Sequence, residues 1–129
     1  MNAPSEDIKD ILAEESSLGL IFAQNLFIGR EPTTPRNCVT IFDTYGATQD
    51  LSLVTQGYER PTLQIRVRNV SYKNGYSIIH EIKSLLHGFS GEINGTLYTV
   101  IYCSSGPALL DWDENGNVRF IINFNVQRR

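Results

Sequence analysis

Thr62-Leu63-Gln64-Ile65-Arg66-Val67-Arg68-Asn69 alternates without a break, with Leu63, Ile65 and Val67 to one side and Gln64, Arg66 and Arg68 to the other. A period of two belongs to an extended strand with one buried face and one wet face. Val118 to Val126 repeats the pattern, with Val118, Phe120, Ile122, Phe124 and Val126 turned one way and Asn123 and Asn125 turned outward. Two strands with an apolar side need something to cover it.

The cover lies between them, where the period changes. From Lys73 to His87, Tyr76, Ile79, Ile82, Leu86 and then Phe89 fall on one helical face, while Glu81 and Lys83 point elsewhere. Each large side chain contributes at most about 1.5 to 3 kcal/mol when wholly buried, so this helix is expected to lie on the sheet. A first helix is expected from Ser5, a candidate N-cap, through Glu6 and Asp7 in the first turn to the apolar face of Ile8, Ile11 and Leu12.

Three further strands fill the gaps. Leu20 to Ile28, ending at the Gly29-Arg30-Glu31-Pro32 turn, reads as the first. Asn37 to Phe42, apolar on both sides, reads as the second. Leu97 to Cys103 follows Asn94-Gly95 and a short hairpin arm. The resulting class is α+β: a mainly antiparallel sheet of about four to five strands with two helices packed on it, in one domain over residues 1–129. Asp43 to Pro61 is left as a long loop, a kind of segment that in small domains is usually functional.

Composition narrows the function. Eleven Lys and Arg against 14 Asp and Glu give a net charge of -3, the wrong sign for a protein that relies on phosphate contacts, so direct sequence-specific nucleic-acid binding is not expected. No apolar stretch approaches the roughly 20 residues that span a bilayer, and Met1 to Lys9 has no export-signal pattern, so neither a membrane nor secretion is expected. Cys38 and Cys103 sit in strand-like contexts and are expected to be buried thiols.

The motifs that would carry catalysis are incomplete. Asp111-Trp112-Asp113-Glu114-Asn115-Gly116 begins like a calcium loop, but the ninth position is Arg119 and the twelfth is Ile122, so a turn between strands is the better reading. His80 and His87 lie roughly 10 Å apart along a helix, too far for one zinc. Phe89-Ser90-Gly91 and Ser104-Ser105-Gly106 lack the nucleophile-elbow pattern, and Ser105-Gly106-Pro107 reads as a turn. No catalytic residue, cofactor or metal ligand is assigned, and the chain is not expected to be an enzyme.

Charge is segregated instead. The first helix carries Glu6, Asp7, Asp10 and Glu14, while Arg66 and Arg68 share the outward face of one strand, with Arg60 just before it. These seven residues are the candidate subunit interface, on the expectation that neighbouring copies pair them.

The order of several strings resembles the phage minor capsid and tail terminator family: Gly29-Arg30-Glu31-Pro32, Asp43-Thr44-Tyr45-Gly46, Arg60 to Arg68, Leu86-His87-Gly88, Ser105-Gly106-Pro107, Asp113-Glu114-Asn115-Gly116 and Phe120 to Phe124. The resemblance covers nearly the whole chain but fails over Ala47 to Tyr58. It implies a virion protein, assembled in the host bacterial cytoplasm, that caps the head-proximal end of a long-tailed phage's tail tube as a hexameric ring. Its partners would be copies of itself, the tail tube protein and the head-tail connector protein. Thr44, Tyr45, Asp50, Gln56 and Tyr58 of the long loop are the candidate tube or connector contacts. A connector adaptor or stopper is the alternative, and a monomeric binding module the next.

Overall fold

The computed structural model describes residues 1–44 and 59–129. Two helices, α1 (Pro4–Glu14) and α2 (Tyr72–Leu86), accompany six strands: β1 (Leu26–Ile28), β2 (Cys38–Thr44), β3 (Thr62–Asn69), β4 (Phe89–Ile93), β5 (Thr96–Trp112) and β6 (Val118–Arg128). The strands form one sheet in the order β1-β2-β3-β6-β5-β4. The α+β class holds. The sheet differs from expectation in having six strands and in being mixed, because β1 runs parallel to β2.

The alternating runs carry the core. Leu63, Ile65 and Val67 of β3 lie opposite Phe124, Ile122 and Phe120 of β6, and all six are buried. The helices close over this face, α2 through Ile79, Ile82 and Leu86, and α1 through Ile8 and Leu12. Tyr76 does not join them. It remains 49% exposed at the flank of α2, and Gly75 takes the inward position instead.

Gly75 sets how closely α2 approaches the sheet. A Cβ there would lie 3.0 Å and 3.1 Å from two atoms of the Phe120 ring and 3.3 Å from the Asn69 Cβ. Alanine favours a helix over glycine by about 1 kcal/mol. Phe120 is only 2% exposed and its ring already packs against Tyr72 and Tyr76, so the overlap, about 1 to 3 kcal/mol, should outweigh that gain. Gly75→Ala is expected to lower the urea midpoint; a raised midpoint would show that the α2 seam can widen freely.

Three local expectations need correction. Ser5 is not the N-cap: Ala3 occupies that position with no side-chain cap, and Pro4 opens the helix. Ser5 instead offers its amide and hydroxyl to the Asp43 carboxylate at 3.1 Å and 2.6 Å, so a strand residue satisfies the helix start. The first strand is shorter than its apolar run because Asn25 ties up the local backbone, accepting from the Ile21 amide at 2.7 Å and donating to the Gly19 carbonyl at 3.1 Å. Ser105-Gly106-Pro107 is no turn between elements; it lies inside β5, at a register shift against β6. Gly106 has φ +89°, and its α-carbon packs so closely on β6 that a Cβ would fall 2.8 Å from the Ile121 carbonyl oxygen. That bulge lets β5 run for 17 residues. Cys38 is buried, and burial raises its thiol pKa; Cys103 is only partly covered.

Candidate assembly surfaces

The sheet face turned away from the helices was expected to be wet, but residues 30–37 lie across part of it. Arg68 is therefore only 7% exposed at its side chain. Its guanidinium donates to the carbonyl oxygens of Arg36 at 3.1 Å and Pro35 at 2.7 Å, and it meets Glu31 at 3.1 Å. Glu31, itself 11% exposed, also meets Arg119 at 3.5 Å and Arg66 at 3.9 Å. Arg119 binds both oxygens of Asp111 at 2.6 Å, which raises the Arg119 pKa and holds the Asp111 carboxyl below its ordinary range. Arg66 packs 5.0 Å over the Phe42 ring and bonds Gln64 at 2.9 Å. The two basic strand residues thus serve this chain's own fold, and Arg68 is not available to a neighbour.

The acidic helix divides in the same way. Asp7 is fully buried, accepting from the Tyr98 hydroxyl and from Asn94 at 2.8 Å, with Arg128 at 3.8 Å. Asp10 accepts from Asn94 at 2.9 Å and pairs with Lys9 at 3.4 Å. Glu6 pairs with Lys9 at 3.2 Å, and Glu14 is exposed at the helix end. Arg60 is exposed before β3. Of the seven candidate interface residues, Asp7 and Arg68 are interior, and Glu6, Asp10, Glu14, Arg60 and Arg66 keep some surface. Of the candidate loop contacts, Thr44 shares a 2.7 Å hydrogen bond with Thr62, while Tyr45, Asp50, Gln56 and Tyr58 lie outside the described residues.

The Asp111 to Asn117 stretch is a strand connection. Asp113 accepts from the amides of Asn115 and Asn117 at 2.9 Å each, which lowers its pKa, and Arg36 reaches across to Asn117 at 2.8 Å. The oxygens that resemble calcium ligands are occupied by the protein's own donors. His87 accepts from the Cys103 amide at 2.9 Å, and His80 packs 4.1 Å from Tyr76. No helix among the described residues is long and apolar enough to cross a membrane.

Reading for charge missed an apolar surface. Tyr72 stacks on Tyr76 at 6.5 Å and on Trp112 at 6.3 Å, above the edge of Phe120. All but Phe120 are roughly half exposed, as is Leu109. The signal available in the sequence was Trp112, the chain's single tryptophan, placed beside an acidic turn. Exposed aromatic and aliphatic residues grouped in this way mark contact surfaces more often than scattered ones do.

Three comparisons bear on what these surfaces serve. A chain in a structure titled virion of native gene transfer agent particle shares the fold at a TM-score of 0.72, with 10% identity over 98% of this chain and 94% of that one. A second solved chain gives a TM-score of 0.54 and 12% identity over 98% and 91%. No curated protein matches the sequence. A family model described as bacteriophage tail terminator protein matches residues 6–129, nearly the full described length, and the chain belongs to that family of phage tail structural proteins.

Proposed function

We propose that this protein caps the head-proximal end of a long-tailed phage's tail tube as a ring, ending tube polymerisation and presenting the joining surface for the head connector. The match of residues 6–129 to the tail terminator family carries the reading. The structure supports it in kind: Asp7, Arg68 and Arg128 are spent on internal pairs, and exposed apolar groups gather around Trp112, Tyr72 and Tyr76, as suits a subunit that works by contact. The ring is expected to be hexameric, with tail tube protein on one side and connector on the other.

Mixing the purified protein with tail tubes assembled from their own tube protein provides the test. Electron microscopy should show one tube end closed by a ring, and further tube subunits should not extend that end. Tubes that keep growing with no cap, or a ring bound only to isolated connectors, would transfer the protein to an adaptor or stopper role.

A further inference from the structure

The two edges of the sheet are unlike, and each bears an exposed apolar feature. On one side β4 pairs with β5 only as far as Ile101, so among the described residues no strand covers the outer edge of β5 from Ser104 to Trp112. Unpaired strand edges invite pairing with another chain. Leu109 and Trp112 stand on this edge at 47% and 54% exposure, and the acidic Glu114 is exposed two residues on. At the opposite limit of the sheet, β1 pairs with β2, and on its other side the described residues give it a single bridge, between Leu26 and Phe22. Beside it lies an open groove lined by Phe22, Phe27, Ile28 and Pro32, with Arg30 on its wall. Phe22, with the Lys9 ammonium 4.6 Å over its ring, is half exposed there, its chain neighbour Ile21 is half exposed too, and Arg30 is exposed.

One edge presents a half-exposed indole, stacked on Tyr72, with a carboxylate two residues on; the other presents an apolar groove with a guanidinium. A subunit with two different, mutually complementary surfaces at opposite limits makes head-to-tail contacts, and such contacts build rings when the rotation closes. An isologous dimer would need one surface that matches itself. We propose that the occupant of the β5 edge is a second copy of this chain: Trp112 and Leu109 of one subunit seat in the Phe22 and Phe27 groove beside β1 of the next, with Glu114 facing Arg30. This rests on the ring reading above and assigns it an interface different from the α1 and β3 charge pairing suggested by the sequence.

The mass of the wild-type protein, alone and on tail tubes, is measured first. Leu109→Lys/Trp112→Lys and Ile21→Glu/Phe22→Glu, all at exposed positions, should keep the wild-type far-ultraviolet circular dichroism. Each should weaken ring association by at least about tenfold, as loss of an interface anchor does. In a Cys103→Ser background, Trp112→Cys with Phe22→Cys in one chain should oxidise to a ladder of covalent multimers, while either cysteine alone should give none. Rings that survive both charge variants, a missing ladder from a wild-type ring, or covalent dimers from a single cysteine would overturn the interface and leave the ring reading standing. A wild-type protein that forms no ring, free or on tubes, would sink the ring reading and the interface with it.

Discussion

Glu31→Ala should cost the fold about 3 kcal/mol or more, read as a lower urea midpoint at unchanged slope. Among the described residues Glu31 is the carboxylate that pairs with Arg68, whose guanidinium otherwise donates to the backbone carbonyls of Thr33, Pro35 and Arg36. Removing it leaves a buried guanidinium with hydrogen bonds but no counter-charge, and brings Arg66, Arg68 and Arg119 together uncompensated apart from Asp111. Breaking a buried pair from one side costs much more than breaking an exposed one. Arg66→Ala, with a third of its side chain in solvent, should lose under about 1 kcal/mol. Glu31→Gln should fall between wild type and alanine, since it keeps the acceptor and loses the charge. A Glu31→Ala protein within about 0.5 kcal/mol of wild type, the usual range for surface changes, would mean that water reaches the cluster and that residues 30–37 do not seal that face.

The same cluster marks where sequence reasoning stops. Thr62–Asn69 was legible to the residue because alternation needs only local information, and Ile79, Ile82 and Leu86 were legible because a helical face repeats at fixed spacing. Arg68 obeys the same alternation and is nevertheless buried, because a segment more than 30 residues earlier crosses its face. Alternation assigns a side to each residue; it does not say what covers that side. β4 and the second half of β5 escaped for a different reason. Gly91, Gly106 and Pro107 interrupt the pattern, and register shifts of β5 against β4 and against β6 sit where they do.

The candidate interface shows the same limit. Charge segregation between α1 and β3 is real in the sequence, yet the fold consumes the strongest members of both groups within one chain. Trp112 carried no periodic signal, since its contacts with Tyr72 come from a helix 40 residues away. Its exposure became evident only once both edges of the sheet were in place.

Asp7→Ala should be comparably damaging, about 2 to 4 kcal/mol, because it takes the acceptor from the buried Tyr98 hydroxyl and a carboxylate from beside the buried Arg128. Tyr98, also fully buried, gives its hydroxyl proton to Asp7, and Arg128 sits 3.2 Å from the same hydroxyl and 3.8 Å from the carboxylate. These contacts hold α1 to β5 and to the end of β6, so the loss should appear as separation of the helix from the sheet, read by hydrogen exchange in α1. The network also makes a prediction in pH. Burial first, and then the bond to Asp7, push the Tyr98 phenol above its ordinary value of 10.0. A folded-state pKa above the unfolded one gives a contribution that is fully present below about pH 10 and is lost as pH rises from there toward the folded value. Stability should therefore fall above pH 10 by up to about 1.4 kcal/mol per pH unit from this group. Tyr98→Phe should start lower, by about 1 kcal/mol for the lost hydrogen bond, and decline less steeply. Parallel alkaline declines in the two proteins would show that the phenol ionises without opening the Asp7 network, and that the hydroxyl is not what secures α1.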